Sequence, residues 1–102
     1  MKMLALLSLL SACSAGTVDG SCDTQSQNGT CLEYMGGSDV VNTYKTNCAP
    51  GTWTDGPCTS TNRVGGCRTV DNSLELTFTT WFYFPNTSSA VMQSCGSTTF
   101  VP

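Results

Sequence analysis

Between residues 74 and 84 apolar and polar positions alternate: Leu74, Leu76, Phe78, Phe82 and Phe84 fall on one side, Glu75, Thr77, Thr79, Trp81 and Tyr83 on the other. A period of two sends successive side chains to opposite faces of a strand, so this segment is expected to be the best-formed strand of the chain. Asp71-Asn72-Ser73 carries turn chemistry and is predicted to join it, as a hairpin, to an earlier strand near 66–70. Val40, Val41 and Tyr44 recur at helical spacing, with Ser38 or Asp39 as the cap of a helix running toward Cys48. Asn86 to Ser88 similarly predict the start of a helix carrying Ala90, Val91 and Met92. The pattern is that of an α+β domain, an antiparallel sheet with two short helices.

The N-terminal pattern differs in kind. Lys2 precedes the apolar run Leu4-Ala5-Leu6-Leu7-Ser8-Leu9-Leu10, far shorter than the roughly 20 residues that span a bilayer. It reads as a signal peptide over 1–12. Leu10-Ser11-Ala12-Cys13 resembles the lipobox of bacterial lipoproteins, an aliphatic residue and two small ones before the cysteine. The resemblance implies a diacylglycerol thioether on Cys13, cleavage before it and acylation of the new amino group. Several acyl chains together anchor stably where one is marginal. Ser14 after the cysteine implies, by analogy with enteric lipoproteins, transfer to the outer membrane. The competing expectation is an ordinary secretory signal cleaved after Ser14 or Ala15, which leaves a soluble secreted binding or inhibitor protein.

Cysteine usage agrees with export by either route. Setting Cys13 aside leaves six cysteines, Cys22, Cys31, Cys48, Cys58, Cys67 and Cys95, an even number with no C-x-x-C and no His in the chain. Disulfides rather than zinc are therefore expected. Composition narrows the partners. Beyond residue 13 the chain holds three basic residues, Lys45, Arg63 and Arg68, against seven acidic ones, a net charge of minus four. Nucleic acid needs a clustered basic surface and is excluded as a partner.

Asp19-Gly20-Ser21-Cys22, with Thr24, Gly29 and Cys31, recurs as Asp55-Gly56-Pro57-Cys58 with Ser60, Gly65 and Cys67. Glu33-Tyr34-Met35 and Phe82-Tyr83-Phe84 each precede a polar turn and a helical stretch ending in Cys48 or Cys95, and Trp53 and Phe100 each follow five residues later. The expected organisation is a tether over 13–21 and a disulfide-stapled domain over 22–102, built of two similar halves, 22–57 and 58–102. Each half holds three cysteines, so at least one bridge must join the halves. Six cysteines allow fifteen pairings, of which seven are unchanged by exchanging the halves. Among these Cys31–Cys48, Cys67–Cys95 and Cys22–Cys58 are favoured, because the first two staple each strand to its own helix.

The catalytic repertoire is thin. Without His the Ser-His and Cys-His systems are gone, and Lys45 has no Ser-x-x-Lys spacing and reads as a surface charge. Glu33 and Glu75 are the carboxylates weighed for glycoside cleavage. Neither Asp19 nor Asp55 is followed by the alternating oxygen ligands of a calcium loop. No catalytic residue, cofactor or metal is expected. Trp81 and Tyr83, with Trp53, are the candidate binding surface, since flat aromatics beside hydroxyls suit sugar rings or a protein hot spot. The competing expectation, favoured in so small a domain, is that these aromatics are core covered by the two helices. The cysteine spacing with Gly51-Thr52-Trp53 after a helix is similar to small Cys-rich lipoproteins of myxobacteria. The expectation is thus a non-enzymatic cell-envelope lipoprotein with a structural or interaction role, whose partners are the membrane, through lipid on Cys13, and an envelope protein or glycan.

Overall fold

A computed structural model describes residues 17–102. The expected leader and the lipidation site Cys13 lie outside the described residues. Six strands form one antiparallel sheet: β1 (Gly20–Thr24), β2 (Thr30–Met35), β3 (Thr52–Thr54), β4 (Arg63–Asp71), β5 (Leu76–Tyr83) and β6 (Thr99–Val101). Their spatial order is β3-β1-β2-β5-β4-β6. Helices are α1 (Gln25–Asn28), a single turn within the β1–β2 connection, α2 (Ser38–Thr46) and α3 (Ser88–Ser94).

The predicted hairpin is present as β4 and β5, which pair from Arg63↔Tyr83 to Asp71↔Leu76. Its strand is shorter than the alternation suggests, because Leu74 and Glu75 belong to the turn. There Asp71 Oδ1 accepts hydrogen bonds from Ser73 N, Ser73 Oγ and Leu74 N, and Glu75 takes a positive φ of 51°. Both expected helices are present. Thr87 caps α3, its hydroxyl accepting from Ala90 N at 3.2 Å. In α2 the N-cap is Gly37, one residue before Ser38, with Asp39 in the first turn and Lys45 in the last. Those charges oppose the helix dipole at each end.

The sheet holds more strands than the two that the hairpin pattern marks, and β1 shows why. Its five residues, Gly-Ser-Cys-Asp-Thr, carry one apolar side chain and so no alternation to read. What makes them a strand is pairing on both sides, to β2 and to β3. One row of paired residues crosses all six strands: Trp53, Cys22, Leu32, Thr80, Cys67 and Phe100. Residues paired across antiparallel strands share a face, so both bridging cysteines of this row point the same way. Each is bonded to a cysteine just beyond a helix, Cys22 to Cys48, two residues past α2, and Cys67 to Cys95, the residue after α3, with Cα separations of 5.7 and 5.2 Å. Both helices are thereby pinned on this face. Under α2 lies a core of Cys22, Tyr34, Val41, Cys48 and Leu76, with Leu32, Val40, Tyr44, Trp53 and Phe78 against it.

The opposite face carries a second core of Cys31, Cys58, Trp81 and Tyr83. A loop covers it, not a helix. Cys58 stands in the connection between β3 and β4 and is bonded to Cys31.

The expected pairing is corrected at two of its three bridges: Cys67–Cys95 forms, but Cys31–Cys48 and Cys22–Cys58 do not. Face parity is the reason. Cys22 pairs with Leu32, so the adjacent Cys31 points to the other side of the sheet, away from α2 and Cys48. One bridge, Cys31–Cys58, does join 22–57 to 58–102. The two Asp-Gly-x-Cys segments are not alike in structure, however. The first enters β1, and the second lies in the loop closing the opposite face.

Candidate functional site

A cleft of about 240 Å³ opens between α2 and the β1–β3 edge of the sheet, lined by Asp19, Gly36, Ser38, Val41, Asn42, Lys45, Trp53 and Asp55. Ser38, Asn42 and Lys45 follow one another at spacings of four and three, so one side of α2 supplies that wall. Trp53 comes from edge strand β3, opposite Cys22. Its ring lies so close over Gly20 that a Cβ there would stand 2.1 Å from Cζ2, which is why that position carries no side chain.

Two further contacts fix the indole. Its Nε1 donates to Asp55 Oδ1 at 2.9 Å, and its ring stacks at 6.0 Å between centroids with Tyr34, which itself stacks on Tyr44 at 4.5 Å. Burial, and after it the neighbouring Tyr44, push the Tyr34 hydroxyl above its ordinary pKa. Asp19 is held from the other side of the cleft, its Oδ2 accepting from Gly36 N at 2.8 Å. Each carboxylate thus has one oxygen engaged with the protein. Among the described residues no hydrogen bond engages Asp19 Oδ1, Asp55 Oδ2, Ser38 Oγ, the Asn42 amide or Lys45 Nζ. The rim offers acceptors and donors together around an aromatic side chain. Lys45, read from sequence as a solvated charge, is exposed and belongs to this rim.

Trp81 and Tyr83 are elsewhere. Thr80 shares the face of Trp53 through the paired row, so its neighbour Trp81 and, two residues on, Tyr83 point to the opposite face. They are 4% and 3% exposed, which corrects their reading as an open platform with Trp53. Core packing, the favoured expectation, is what they do, but the Cys58 loop covers them in place of the helices. Tyr83 Oη donates to Thr59 O at 2.8 Å, and Cys58 N donates to the buried Glu33 Oε2 at 2.9 Å. Arg63 sets its guanidinium 3.8 Å from the Trp81 ring centroid, a cation–π contact. Burial drives the Tyr83 hydroxyl up to about 12; nearby Arg63 opposes this, while Asp23 and Glu33 add to it. Trp81 Nε1 is buried with no hydrogen-bond partner, a cost of roughly 1–3 kcal/mol.

Glu33 and Glu75 are not brought together. Glu33 is buried, with its Oε2 taken by Cys58 N, while Glu75 stands in the turn before β5, and neither lines the cleft. Asp19 and Asp55, by contrast, meet at one cleft because β1 and β3 are neighbours, a juxtaposition their separation of 36 residues conceals. On the other flank of α2 a second, mainly apolar hollow of about 300 Å³ is lined by Asp39, Val40, Thr43, Tyr44 and Leu74.

No protein-family model, curated protein or solved structure matches the chain.

Proposed function

We propose that this is an exported lipoprotein, held at a membrane surface by lipid on Cys13, whose disulfide-stapled domain acts by binding and not by catalysis. The observation that carries this reading is that the six cysteines after Cys13 pair with one another in three bridges. Disulfides form and persist in oxidising, extracytoplasmic compartments, and their closure leaves Cys13, at the end of the lipobox-like Leu10-Ser11-Ala12-Cys13, as the cysteine for lipid. Among the described residues no helix is long and apolar enough to cross a membrane; in this proposal the anchor is the set of acyl chains on Cys13. We place the protein at the cell envelope, with Ser14 favouring the outer membrane.

Apart from the single turn α1 between β1 and β2, the order of elements, strand-strand-helix-strand in β1-β2-α2-β3 and again in β4-β5-α3-β6, supports the reading of two similar halves. The binding role falls to the first half and its Trp53 cleft. Asp19 follows Cys13 by six residues, and an extended chain covers at most about 3.6 Å per residue. The proposed anchor therefore keeps the cleft within roughly 20 Å of the membrane surface, among envelope components.

Intact mass spectrometry of the protein from its native host, with and without reduction and alkylation, tests the anchor. The expected product begins at a lipidated Cys13 and has six cysteines that alkylate only after reduction. An unlipidated chain beginning at Ala15 or Gly16 sinks the lipoprotein reading and makes a diffusible secreted binding protein the one to pursue.

A further inference from the structure

We infer that the Trp53 cleft binds a single uncharged saccharide ring, a reading that rests on the binding role proposed above and gives it a ligand class. Size limits the occupant first. At about 240 Å³ the cleft is smaller than the roughly 300–1,000 Å³ of sites for drug-sized ligands, and holds one ring in place of an extended oligomer.

Chemistry limits it next. A sugar presents an apolar ring face and a belt of hydroxyls that both donate and accept. Trp53 supplies a flat partner for the ring face. Among the described residues nothing occupies Asp19 Oδ1 and Asp55 Oδ2, which can accept from hydroxyls, or Lys45 Nζ and the Asn42 amide, which can donate to them. Such charge-assisted bonds are the stronger kind. The indole and both carboxylates are already held, by Gly20, Asp55 and Gly36, so little ordering is left to be done on binding.

Charge decides among sugars. Two carboxylates face one ammonium on a chain with a net charge of minus three, so an anionic sugar is repelled. Lys45 on the same rim disfavours a cationic amine, the ligand that two carboxylates beside a tryptophan would otherwise select. A neutral polyol is what remains.

The chain has two tryptophans, one in the cleft and one in the opposite core, which gives the test an internal control. We would record the indole N–H signals of the ¹⁵N-labelled, fully oxidised protein during titration with glucose, galactose, mannose and N-acetylglucosamine. The expected result is a saturable shift of the Trp53 indole with at least one of the four, while the Trp81 indole stays still. Asp55→Asn should weaken that binding about tenfold, the effect of losing one charged hydrogen bond, without moving the thermal midpoint. Trp53→Phe, which keeps an aromatic ring but frees Asp55, should weaken it as well.

Absence of any saturable Trp53 shift across the four sugars overturns the inference. So does saturation with ethylammonium or glucuronate but none of the neutral sugars, or unchanged sugar affinity in Asp55→Asn. Because this readout is indifferent to the state of Cys13, failure here leaves the lipoprotein reading standing, and an unlipidated N-terminus leaves the sugar result standing.

Discussion

Gly20 shows how closely single positions are specified. A methyl group there meets the Trp53 ring at 2.1 Å, whereas at Gly56 nothing lies within 4 Å. Gly20→Ala is therefore expected to cost about 1–3 kcal/mol, as overpacking does, and Gly56→Ala to be close to neutral; chemical denaturation of the two variants checks the contrast. Gly65 stands beneath Phe100 as Gly20 does beneath Trp53, with a built Cβ 2.8 Å from the ring, so the same substitution is costly there too. Tyr83 sets the alkaline limit. Its folded-state pKa of about 12 lies above the ordinary 10.0, so the fold favours the neutral phenol. That contribution is complete below pH 10 and is lost as pH rises from 10 through 12. Near-ultraviolet absorbance followed against pH should show a final tyrosine ionisation coincident with unfolding. Tyr83→Phe should abolish that step, while costing about 1 kcal/mol at neutral pH for the bond to Thr59.

Among elements, α3 is not self-sufficient. It has seven residues, of which only Val91 is buried, and a helix so short is marginal on its own. The Thr87 cap closes its first turn, and the Cys67–Cys95 bridge holds it to β4. Cys67→Ala/Cys95→Ala is expected to lower stability by about 2–4 kcal/mol and to accelerate amide exchange first in α3, read by hydrogen–deuterium exchange. Thr87→Ala should cost about 1 kcal/mol. The β4–β5 hairpin was legible in the chain because alternation and the Asp71 turn are local signals, complete within about twenty residues. The β1 strand was not, since Gly-Ser-Cys-Asp-Thr becomes a strand only between β2 and β3. The bridges were half legible for a related reason. That cysteines pair follows from their number and compartment, but which pairs form depends on the face each takes, and the β1–β2 register sets that face for Cys22 and Cys31.

At the scale of the whole molecule, a six-stranded sheet carries a modest core on each face, and a covalent bridge passes through both. A chain of this length buries too little apolar surface to be stable with a wide margin. Full reduction is accordingly expected to unfold the domain at physiological temperature, seen as loss of near-ultraviolet circular dichroism, with recovery on reoxidation. Proteolytic mapping of the oxidised protein should return the pairs 22–48, 31–58 and 67–95. Trp53 and Phe100, each five residues beyond a bridging cysteine, stand at the two ends of one row, a placement that the strand pairing decides. The two Asp-Gly-x-Cys segments fall in unlike places, whereas Gly-x-Cys-x-Thr, at Gly20–Thr24 and again at Gly65–Thr69, falls in β1 and β4 and sets each glycine under an aromatic.

Sequence by itself determined the hairpin, the two helices, the antiparallel character of the sheet and a cysteine complement suited to an oxidising compartment. All of these follow from near neighbours or from counts. Only the tertiary structure decided which aromatics are core and which line a cleft, since Trp81 lies on an interior strand with the Cys58 loop over it, whereas Trp53 lies on the edge strand β3, and strand order is not a local property of either segment. It also decided that Asp19 and Asp55 face one hollow across from Lys45, because strand pairing can join distant segments at an edge without leaving a local trace.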